Sequence, residues 1–600
     1  MQPTLRRRHQ MPFGAQICAA GQVRFRLWAP AAQSVELLLG EARAALPMQA
    51  QPAGWFELET GAAQAGTLYR YRINGAQEVA DPAARFNPQG VHGPSEVIDP
   101  EAYAWPDAQW RAPPWPNAVI YELHVGTFNA PGSYAAVIAR LGHLARLGVT
   151  AIELMPLAAF PGERGWGYDG VLQYAPHCSY GRPEDLKALV AAAHQHGLAV
   201  LLDVVYNHFG PEGNYLHGYA PQFFTDRHNT PWGAAINFDG ADSRTVRDFF
   251  IHNALYWLTE YHFDGLRLDA IHAVYDGGKP HVVSELARAA RAAAGPARHI
   301  YLTLENFDNA ARLLGPAGAP DTCDAQWNDD VHHALHVLLT GETHSYYSDY
   351  GATPHAFLGR ALAEGFAYQG EPSSFVGAPR GEPSAHLPPS AFINFLQNHD
   401  QIGNRVHGER LTQLVHQSAA LRAASSLLLL APSPPMLFMG EEWGAREPFP
   451  WFCDFEPQLQ AQVRAARERE FPGSPDPGDP ATFAAARLDW TKRRAEDHAR
   501  VLLHYRRLLA IRRRDIAPLL PQLHSGRCRS SAHGVIAVDW HAPQQVLHLI
   551  ANLSASPAPL GVPAAGRVLF ATHPGVRATL ARKELPPWSV LWLLEHRDDA

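Results

Sequence analysis

The chain is poor in cysteine, and its cysteines are too far apart to act together. There are five in 600 residues, an odd number: Cys18, Cys178, Cys323, Cys453 and Cys528. Disulfide-stabilised scaffolds carry a dense, even set of cysteines, and zinc or redox sites pair two of them within a few residues. The sequence therefore excludes both classes and predicts free, buried thiols.

Long apolar runs and an excess of positive charge are also missing. The most apolar segment, residues 425–440, contains Pro432, Pro434 and Pro435, and no segment reaches the ~18 apolar residues of a membrane span. The basic residues near the N-terminus are not followed by the apolar stretch of a signal peptide. A formal net charge of -8 leaves no basic surface for nucleic acid. We expect a cytoplasmic protein with a neutral substrate, and neither a membrane nor a nucleic acid as partner.

Short alternating runs at both ends of the chain predict β-domains, because Gly and Pro turns separate them. The clear runs are residues 23–28, 68–73, 534–540, 545–553, 568–571 and 589–594. A proline-rich stretch at 105–117 marks the end of the first domain. Since 600 residues exceed one compact core, we predict three domains. They are an N-terminal β-sandwich over 1–110, a catalytic domain over 111–520 and an antiparallel C-terminal β-domain over 521–600.

The middle of the chain alternates strand-like and helix-like segments. Seven apolar runs have the composition of buried parallel strands, namely residues 118–125, 150–157, 199–205, 265–270, 299–305, 392–396 and 435–439. Segments 183–197 and 243–261 have helical composition. Repeated βα units predict an α/β fold, a (β/α)8 TIM barrel with inserted loops and helices. The missing eighth strand is expected between Trp327 and Phe375.

Acidic residues follow four of the predicted strands. Asp203, Asp269, Glu305 and Asp400 each stand at or just after the end of an apolar run. Since the carboxyl ends of barrel strands meet at one face, these side chains converge on one pocket. Glycosidic cleavage needs a carboxylic acid and a carboxylate beside the anomeric carbon. Asp269 and Glu305 end consecutive strands, which favours the ~5–5.5 Å separation of retaining enzymes.

Neighbouring charges predict a different task for each acid. Arg267 projects to the same side as Asp269 and would keep that aspartate ionised as a nucleophile. Glu305 would instead hold a proton near neutrality, favoured by the negative charges of Asp269 and Asp400. A catalytic metal is the rival explanation for such a cluster. No two histidines have the spacing of a zinc-binding helix beside a glutamate, so we predict no metal and no cofactor.

Four segments resemble the sequence regions of the α-amylase superfamily, in the family's order: residues 203–208, 265–269, 303–306 and 395–400. The resemblance implies that Asp269 is the nucleophile, that Glu305 is the acid/base, and that Asp400 orients the sugar. It implies substrate contacts for Trp166, Tyr168, Asp203, His208, Arg267 and His399. The ring of Tyr168 would stack under the sugar at the cleavage point.

Five further segments carry a closer resemblance: residues 85–95, 148–157, 160–170, 269–273 and 326–335. They are similar to the maltooligosyltrehalose trehalohydrolase family, and the second and third are also similar, less closely, to glycogen branching enzymes. Where a typical α-amylase has Lys-His after its nucleophile region, this chain has His272-Ala273, which implies a different leaving group. The resemblance implies hydrolysis of the α-1,4 bond next to a terminal trehalose, with release of trehalose and a maltooligosaccharide.

The resemblance also implies a partner and a leaving-group site. The partner is an α-glucan oligosaccharide with a trehalose end, and a maltooligosyltrehalose-forming enzyme would be paired with this one in function. The residues expected to line the leaving-group side are His272, Asp329, Asp330, His332, His333, Gln401 and Asn404. Asn207 matches a calcium ligand of many α-amylases, but we find no other ligand of that set.

Two alternatives stay open at this point. A branching or debranching enzyme of the same superfamily would share the chemistry up to the glycosyl-enzyme and differ afterwards. A non-catalytic glucan-binding protein would generally have lost its carboxylates, whereas this chain keeps all three. The N-terminal sandwich resembles glycogen-binding modules, and its alternative role is to pack against the barrel.

Overall fold

The N-terminal part of the chain forms two antiparallel sheets. The computed structural model describes residues 8–18, 21–40, 43–296, 298–531, 534–563, 565–575 and 581–597. One sheet contains, in spatial order, Gly14–Ile17, Val23–Trp28, Trp55–Thr60 and Gln49–Gln51; the other contains Ala44–Pro47, Val35–Leu39, Leu68–Ile73 and Gln77–Val79, with Ser95–Glu96 beside Leu68–Ile73. Alternate side chains of Leu68–Ile73 are buried, as expected when one face of a sheet covers a core. The predicted sandwich is confirmed.

Eight parallel strands close into a barrel. In barrel order, strands one to eight are Ile120–Leu123, Ala151–Leu154, Ala199–Val204, Gly265–Leu268, Tyr301–Leu304, Ala325–Trp327, Phe392–Phe395 and Pro435–Phe438. Every residue of these strands is buried, because helices cover the outside of such a barrel and side chains fill its inside. The predicted (β/α)8 architecture is confirmed.

The sixth barrel strand differs from its prediction. It is three residues long, Ala325–Trp327, and lies just before the stretch in which the sequence predicts it. Gln326 pairs with Leu304 of strand five, which fixes its place in the barrel. The predicted position between Trp327 and Phe375 is therefore wrong, because three residues are too few for a recognisable apolar run.

Helices follow most of the barrel strands. The long ones near the barrel are Tyr134–Leu147, Pro183–Gln195, Ser243–Glu260, Val282–Ala294, Asp329–Thr340, Pro354–Glu364, Ser418–Leu430 and Glu496–Ile511. The others are Leu216–Tyr219, His399–Gly403, Leu411–Leu414, Pro457–Glu470 and Pro480–Ala485. The two segments predicted as helices are confirmed, and Gly197 follows the first of them in the left-handed region, with φ +76. None of the helices in the described part of the chain combines the length and hydrophobicity of a membrane span.

Three pairs of short antiparallel strands lie in the connections between barrel strands. They follow strands two, three and six, and are Ala158–Ala159 with Leu172–Pro176, Phe224–Thr230 with Gly233–Ile236, and Glu371–Ser373 with Ala378–Arg380. Loops at this end of a (β/α)8 barrel surround the place where its chemistry is built. These hairpins therefore form walls around the barrel mouth.

The C-terminal part of the chain is a second β-domain. Its five-stranded antiparallel sheet contains, in spatial order, Arg527–Ser530, Val535–Ala542, Gln545–Asn552, Ser589–His596 and Arg567–Ala571, and Ala558–Pro559 pairs with Glu584–Leu585. The indole N–H of Trp592 donates to the backbone oxygen of Ser426 at 3.0 Å, which ties this sheet to a barrel helix. The predicted antiparallel C-terminal domain is confirmed.

A buried ion pair joins the N-terminal sandwich to the barrel. Arg85 donates from Nε and Nη2 to the two carboxylate oxygens of Glu260, at 3.0 and 2.8 Å. Glu260 is the last residue of the helix that follows strand three. Arg85 also donates to the backbone oxygen of Ala15 in the first sandwich strand, at 2.6 Å. The guanidinium is therefore shared by both domains.

Candidate active site

Arg267, in strand four, holds three carboxylates at the carboxyl end of the barrel. Its Nη1 donates to the two oxygens of Asp203, at 3.0 and 2.8 Å, and to Oδ1 of Asp269, at 2.7 Å. Its Nη2 donates to Oε2 of Glu305 at 2.9 Å. The centroid of the Trp327 ring lies 3.9 Å from the guanidinium carbon and covers that group. One buried cation therefore ties the ends of strands three, four and five together.

The backbone after Asp269 turns its amides towards Glu305. Ala270 has φ +41, in the left-handed region, where a residue other than glycine is strained and often functional. Its amide donates to Oε2 of Glu305 at 2.9 Å, and the amide of Ile271 donates to the backbone oxygen of Glu305 at 2.9 Å. Asp269 and Glu305 are therefore neighbours in one pocket.

The acids differ in their access to solvent. The exposed fraction of the side chain is 2% for Asp203, 8% for Asp269, 17% for Glu305 and 37% for Asp400. Asp203 therefore lies behind the other three. A substrate that approaches the barrel mouth meets Asp400 first and reaches Asp269 at the bottom.

The contacts of Asp269 and Glu305 shift their pKa values in opposite directions. Burial raises the pKa of Asp269 well above its ordinary value; Arg267 opposes that rise and the neighbouring carboxylates reinforce it. Burial also acts to raise the pKa of Glu305, but Arg267, His272 and the amide of Ala270 outweigh it and hold that pKa at about 2. These contacts favour the proton of the pair on Asp269, and the predicted proton on Glu305 during the reaction stays a prediction. The sequence does not show that Glu305 turns towards these donors.

Asp400 lies on the short helix His399–Gly403, which follows strand seven. The Nε2 atom of His399 is 3.5 Å from Oδ1 of Asp400. The Nδ1 atom of the same ring is 2.5 Å from Oε1 of Glu122, a buried residue of strand one. The sequence analysis missed Glu122, although a charged residue inside an otherwise apolar run is the signal that singles it out.

Two aromatic rings from the loop after strand two pack on His399. Tyr168 stacks on it with centroids 4.9 Å apart, and its hydroxyl donates to Asp203 at 2.5 Å. Trp166 meets His399 edge-on at 5.4 Å and donates from its indole N–H to the backbone oxygen of Pro450 at 3.1 Å. The half-buried Tyr168 can meet a sugar. Trp166 and Asp203 are both buried, and their expected contacts with the sugar stay predictions.

His208, after strand three, connects the pocket to an exposed aromatic ring. Its Nε2 lies 3.0 Å from the backbone oxygen of Tyr168, and its ring stacks on Trp232 with centroids 4.9 Å apart and an interplanar angle of 12°. Trp232 stands at the turn of the hairpin after strand three and is 46% exposed. A flat, exposed ring beside the pocket suits the apolar face of a glucose unit. The sequence alone did not single out Trp232 among its 15 tryptophans.

Two of the predicted leaving-group residues lie near Glu305. His272 is half-buried, and its Nδ1 accepts a hydrogen bond from the amide of Phe307 at 3.4 Å. Asp329 is half-buried at the start of the helix after strand six. Burial, followed by the charge of Glu305, raises the pKa of Asp329 to about 8. The uncharged form of the Asp329 carboxyl group is therefore favoured near neutral pH at the barrel mouth.

Gln401 and Asn404 lie on or just after the short helix that follows strand seven. The side-chain oxygen of Gln401 accepts from the amide of Asn398 at 2.9 Å and so caps the helix. Asn404 is exposed at the end of this helix. A Cβ on Gly403 would lie 1.8 Å from the ring of Trp166, so this contact requires glycine. Gln401 already has a structural partner, whereas Asn404 is open to solvent.

The other three predicted leaving-group residues lie in the protein interior. Asp330 is fully buried and pairs with Arg380 at 3.1 Å. The Nδ1 atom of His332 lies 2.7 Å from the backbone oxygen of Leu396, and His333 is packed among tyrosine rings. The prediction that they line the pocket is therefore wrong. Only the first residue of their helix reaches the mouth, and the next turn faces the core.

Three family models match separate parts of the chain. Carbohydrate-binding module 48 (isoamylase N-terminal domain) matches residues 12–100, and the alpha amylase catalytic domain matches residues 116–251. A domain of unknown function matches residues 523–592. These matches follow the order of sandwich, barrel and C-terminal sheet.

Relatives of similar length match this chain over most of both lengths. The malto-oligosyltrehalose trehalohydrolase of Arthrobacter ramosus is 43% identical over 563 residues, which cover 91% of this chain and 95% of that one. The enzyme of the same name from Saccharolobus solfataricus is 41% identical, over 84% of this chain and 87% of its own. A crystal structure from Salmonella typhimurium, described as an alpha amylase, has a TM-score of 0.93 at 45% identity and covers 97% of this chain and 99% of that one. The chain belongs to the malto-oligosyltrehalose trehalohydrolase family of the α-amylase superfamily.

Proposed function

We propose that this protein hydrolyses the α-1,4 bond next to the terminal trehalose of maltooligosyltrehalose, with retention of configuration, and releases trehalose and a maltooligosaccharide. The observation that carries the proposal is the attachment of Asp269 and Glu305 to the two terminal nitrogens of Arg267. Carboxylates held by one guanidinium fit the short spacing of a retaining pair better than the wider gap that admits a water in inverting enzymes. The names of the full-length relatives support the substrate.

In the first step, a carboxylate oxygen of Asp269 attacks the anomeric carbon while Glu305 gives its proton to the glycosidic oxygen. Trehalose leaves, and the maltooligosaccharide stays on Asp269 as an ester. In the second step, Glu305 takes a proton from water, the water oxygen attacks the same carbon, and the bond to Asp269 breaks. Two inversions give net retention.

The proton needed for the first step must move to Glu305. Contacts with Arg267 and the amide of Ala270 favour the charged form of Glu305 in this arrangement. If the glycosidic oxygen of a bound substrate draws Glu305 away from these donors, the pKa of Glu305 rises. Arg267 then contacts only Asp203 and Asp269. Binding of substrate therefore favours a proton on Glu305 and an ionised Asp269, which is the distribution that the reaction uses.

The sugar contacts follow from the exposure of the remaining groups. We assign Asp400 to the hydroxyls of the glucose at the cleavage point and Tyr168 to its apolar face; the buried His399 acts from behind Asp400. His272 and Asp329 lie on the side of Glu305, where the leaving trehalose must be protonated. The substrate must come from an enzyme that forms maltooligosyltrehalose, and both enzymes are expected in the cytoplasm.

Incubation with maltotriosyltrehalose tests the proposal. We expect equal amounts of trehalose and maltotriose in product chromatography, with the new reducing end first formed as the α-anomer. Maltopentaose is the control substrate, because it has the same number of glucose units, all joined by α-1,4 bonds, and no trehalose end. Absence of trehalose would refute the proposal, and longer or branched glucans instead of maltotriose would indicate transfer, as in a branching enzyme.

Two variants test the assigned roles. Asp269→Asn and Glu305→Gln keep the shape of each side chain and remove its charge or its proton, so we expect kcat to fall by roughly 10³-fold or more in each. Glu496→Gln, at an exposed position in the first turn of the helix Glu496–Ile511, is the matched control and is expected to retain activity. An unchanged rate for Glu305→Gln would contradict its role.

A further inference from the structure

Glu122 is a buried carboxylate that no step of the proposed reaction uses. It belongs to strand one and is 1% exposed. Its Oε1 lies 2.5 Å from Nδ1 of His399, and its Oε2 accepts from the backbone amide of His399 at 3.3 Å. Glu122 therefore binds both the ring and the backbone of the residue that precedes Asp400.

The other side of the His399 ring faces the pocket. Its Nε2 is 3.5 Å from Oδ1 of Asp400, whose side chain is 37% exposed. Tyr168 and Trp166 fix the plane of the ring, one by stacking and one by an edge contact. The ring is thus the connection between a carboxylate in the barrel core and the carboxylate that is most open to substrate.

The charges around His399 determine its protonation. Glu122 and Asp400 flank the ring. Further ionisable groups interact with it electrostatically, namely Arg267, Asp203, Glu305, His124 and Glu153. Burial acts to lower the pKa of His399, but Glu122 and Asp400 outweigh it and raise that pKa to about 9. Both ring nitrogens therefore carry protons at neutral pH, one for each carboxylate.

A second buried glutamate lies beside Glu122 and provides a control. Glu153 stands opposite Glu122 in the register of strands one and two. Both of its carboxylate oxygens are buried without a hydrogen-bond partner. Burial, reinforced by the charge of Glu122, raises the pKa of Glu153 well above its ordinary value, so that it is neutral. Both residues are buried glutamates at the same level of the barrel, but only Glu122 contacts His399.

We propose that Glu122 is a positioning residue that keeps His399 as an imidazolium directed at Asp400, and that it thereby sets the alkaline limit of the enzyme's activity. The proposal rests on the proposed function for its kinetic consequence. Once Nε2 loses its proton, a lone pair faces the carboxylate of Asp400 and the ring no longer donates on the pocket side. The orientation of Asp400 towards the sugar is then lost.

Glu122→Gln removes the negative charge and keeps the shape of the side chain. Its amide oxygen can still accept the Nδ1 proton, while its NH2 group replaces the oxygen that accepts from the backbone amide of His399. Desolvation and the charge of Arg267 then dominate, and His399 becomes neutral at a lower pH. We expect the alkaline limb of kcat/KM to move down by about one pH unit or more, so that kcat/KM falls by about twofold or more at pH 8 and by about tenfold or more at about pH 10. Activity at low pH should stay within a few-fold of the wild type.

Glu153→Gln is the matched variant, and its pH profile should coincide with that of the wild type. Glu122→Asp shortens the side chain but keeps the charge, so its alkaline limb should stay near that of the wild type even if its rate is lower. A Glu122→Gln enzyme that loses the same factor at every pH, or none, would show that Glu122 has only a structural role and would overturn the proposal.

A measurement on the wild-type protein keeps the proposal testable if Glu122→Gln does not fold. With ¹³Cε1-labelled histidine, the NMR signal of His399 is identified as the one missing from His399→Gln. We expect it to have the imidazolium shift up to pH 8 and to titrate above that. A neutral ring at pH 7 would overturn the proposal. This readout does not depend on the substrate, so failure to release trehalose would refute the proposed function without deciding this one.

Discussion

At the scale of single residues, Arg267 dominates the electrostatics of the site. It contacts three carboxylates, so the cluster has more acids than adjacent cations and must keep a proton. The sequence predicts the contact with Asp269 and the identity of the acids, because both depend on strand order. It does not predict that Glu305 turns to Arg267, because rotamer and backbone turn decide that contact. The positions of Asp330, His332 and His333 in the protein interior were missed for the same reason.

Arg267→Lys tests the importance of the fork-shaped side chain. An ammonium group is a compact point charge and cannot bridge Asp203, Asp269 and Glu305 with two terminal nitrogens. We expect kcat to fall by roughly 10²-fold or more, as for other losses of a preorganised contact in a buried site. Arg244→Lys, in an exposed ion pair on a barrel helix, is the control and should leave kcat unchanged. An Arg267→Lys enzyme with kcat within twofold of the wild type would contradict the bridging role.

Trp232→Ala tests the exposed ring beside His208. If Trp232 binds a glucose unit away from the reacting carbon, its loss weakens ground state and transition state alike. We expect KM to rise by about tenfold, equivalent to about 1.4 kcal/mol, with kcat nearly unchanged. The measurement is steady-state kinetics on maltotriosyltrehalose, with Leu503→Ala, which is 63% exposed, as the control. An unchanged KM would remove Trp232 from the binding site.

At the scale of elements, most strands and helices were predictable, because their burial follows hydrophobic periodicity. Strand six is the exception: with three residues it has no period of its own, and its partners in strands five and seven define it. The hairpins at the barrel mouth were also missed as elements. Their exposed and irregular patterns resemble loops, and only tertiary contacts show that they carry rings such as that of Trp232.

One helix end depends on a buried arginine. Arg512 donates to the backbone oxygens of Leu429, Ala431, Pro432 and Ser433, at the end of the helix Ser418–Leu430. The prolines that follow cannot donate to these carbonyl groups, and a helix C-terminus favours a cation. Burial lowers the pKa of Arg512 to about 9, so it remains charged at neutral pH. This side chain therefore fixes the connection into strand eight.

Arg512→Met tests that connection. The change leaves four buried carbonyl groups with fewer donors, and we expect the free energy of unfolding to fall by roughly 2–4 kcal/mol. Arg513→Met is the matched control, because Arg513 is the next residue and its side chain is exposed. We expect its free energy of unfolding to change by no more than about 0.5 kcal/mol. Urea denaturation followed by tryptophan fluorescence measures both. Equal midpoints for the two variants would show that Arg512 is not needed at this helix end.

At the scale of the whole molecule, buried charged groups hold the linking segment on the barrel. This segment connects the N-terminal sandwich with the first barrel strand. His194 lies between two carboxylates, with Nδ1 2.9 Å from Asp107 and Nε2 3.0 Å from Asp264. His262 also contacts Asp107, at 2.9 Å, and Trp110 stacks on His194 with centroids 4.4 Å apart. Asp107 and Trp110 come from the proline-rich stretch between the domains, whereas His194, His262 and Asp264 belong to the barrel. The network therefore makes the attachment of that stretch dependent on pH.

The direction of this dependence follows from the shifted pKa values. Burial acts to lower the pKa of His194, but Asp264 and Asp107 outweigh it and raise that pKa above its ordinary value. Its contribution to stability is complete below the unfolded pKa of about 6.5 and is lost as pH rises through the folded pKa. Burial acts to raise the pKa of Asp107 and of Asp264, yet the histidines hold both below their ordinary values. Their contribution is present above about pH 4 and is lost as pH falls.

His194→Gln should therefore destabilise the protein most between roughly pH 4.5 and 6.5, where the imidazolium and both carboxylates are charged. Above that range, the wild type loses its advantage as His194 deprotonates, and the difference between the two proteins should narrow. Apparent melting temperatures from pH 5 to pH 9 measure this, with His407→Gln, an exposed position, as the control. A His194→Gln deficit that is equal at pH 5 and pH 9 would mean that packing under Trp110, and not the charge of the ring, makes the contribution.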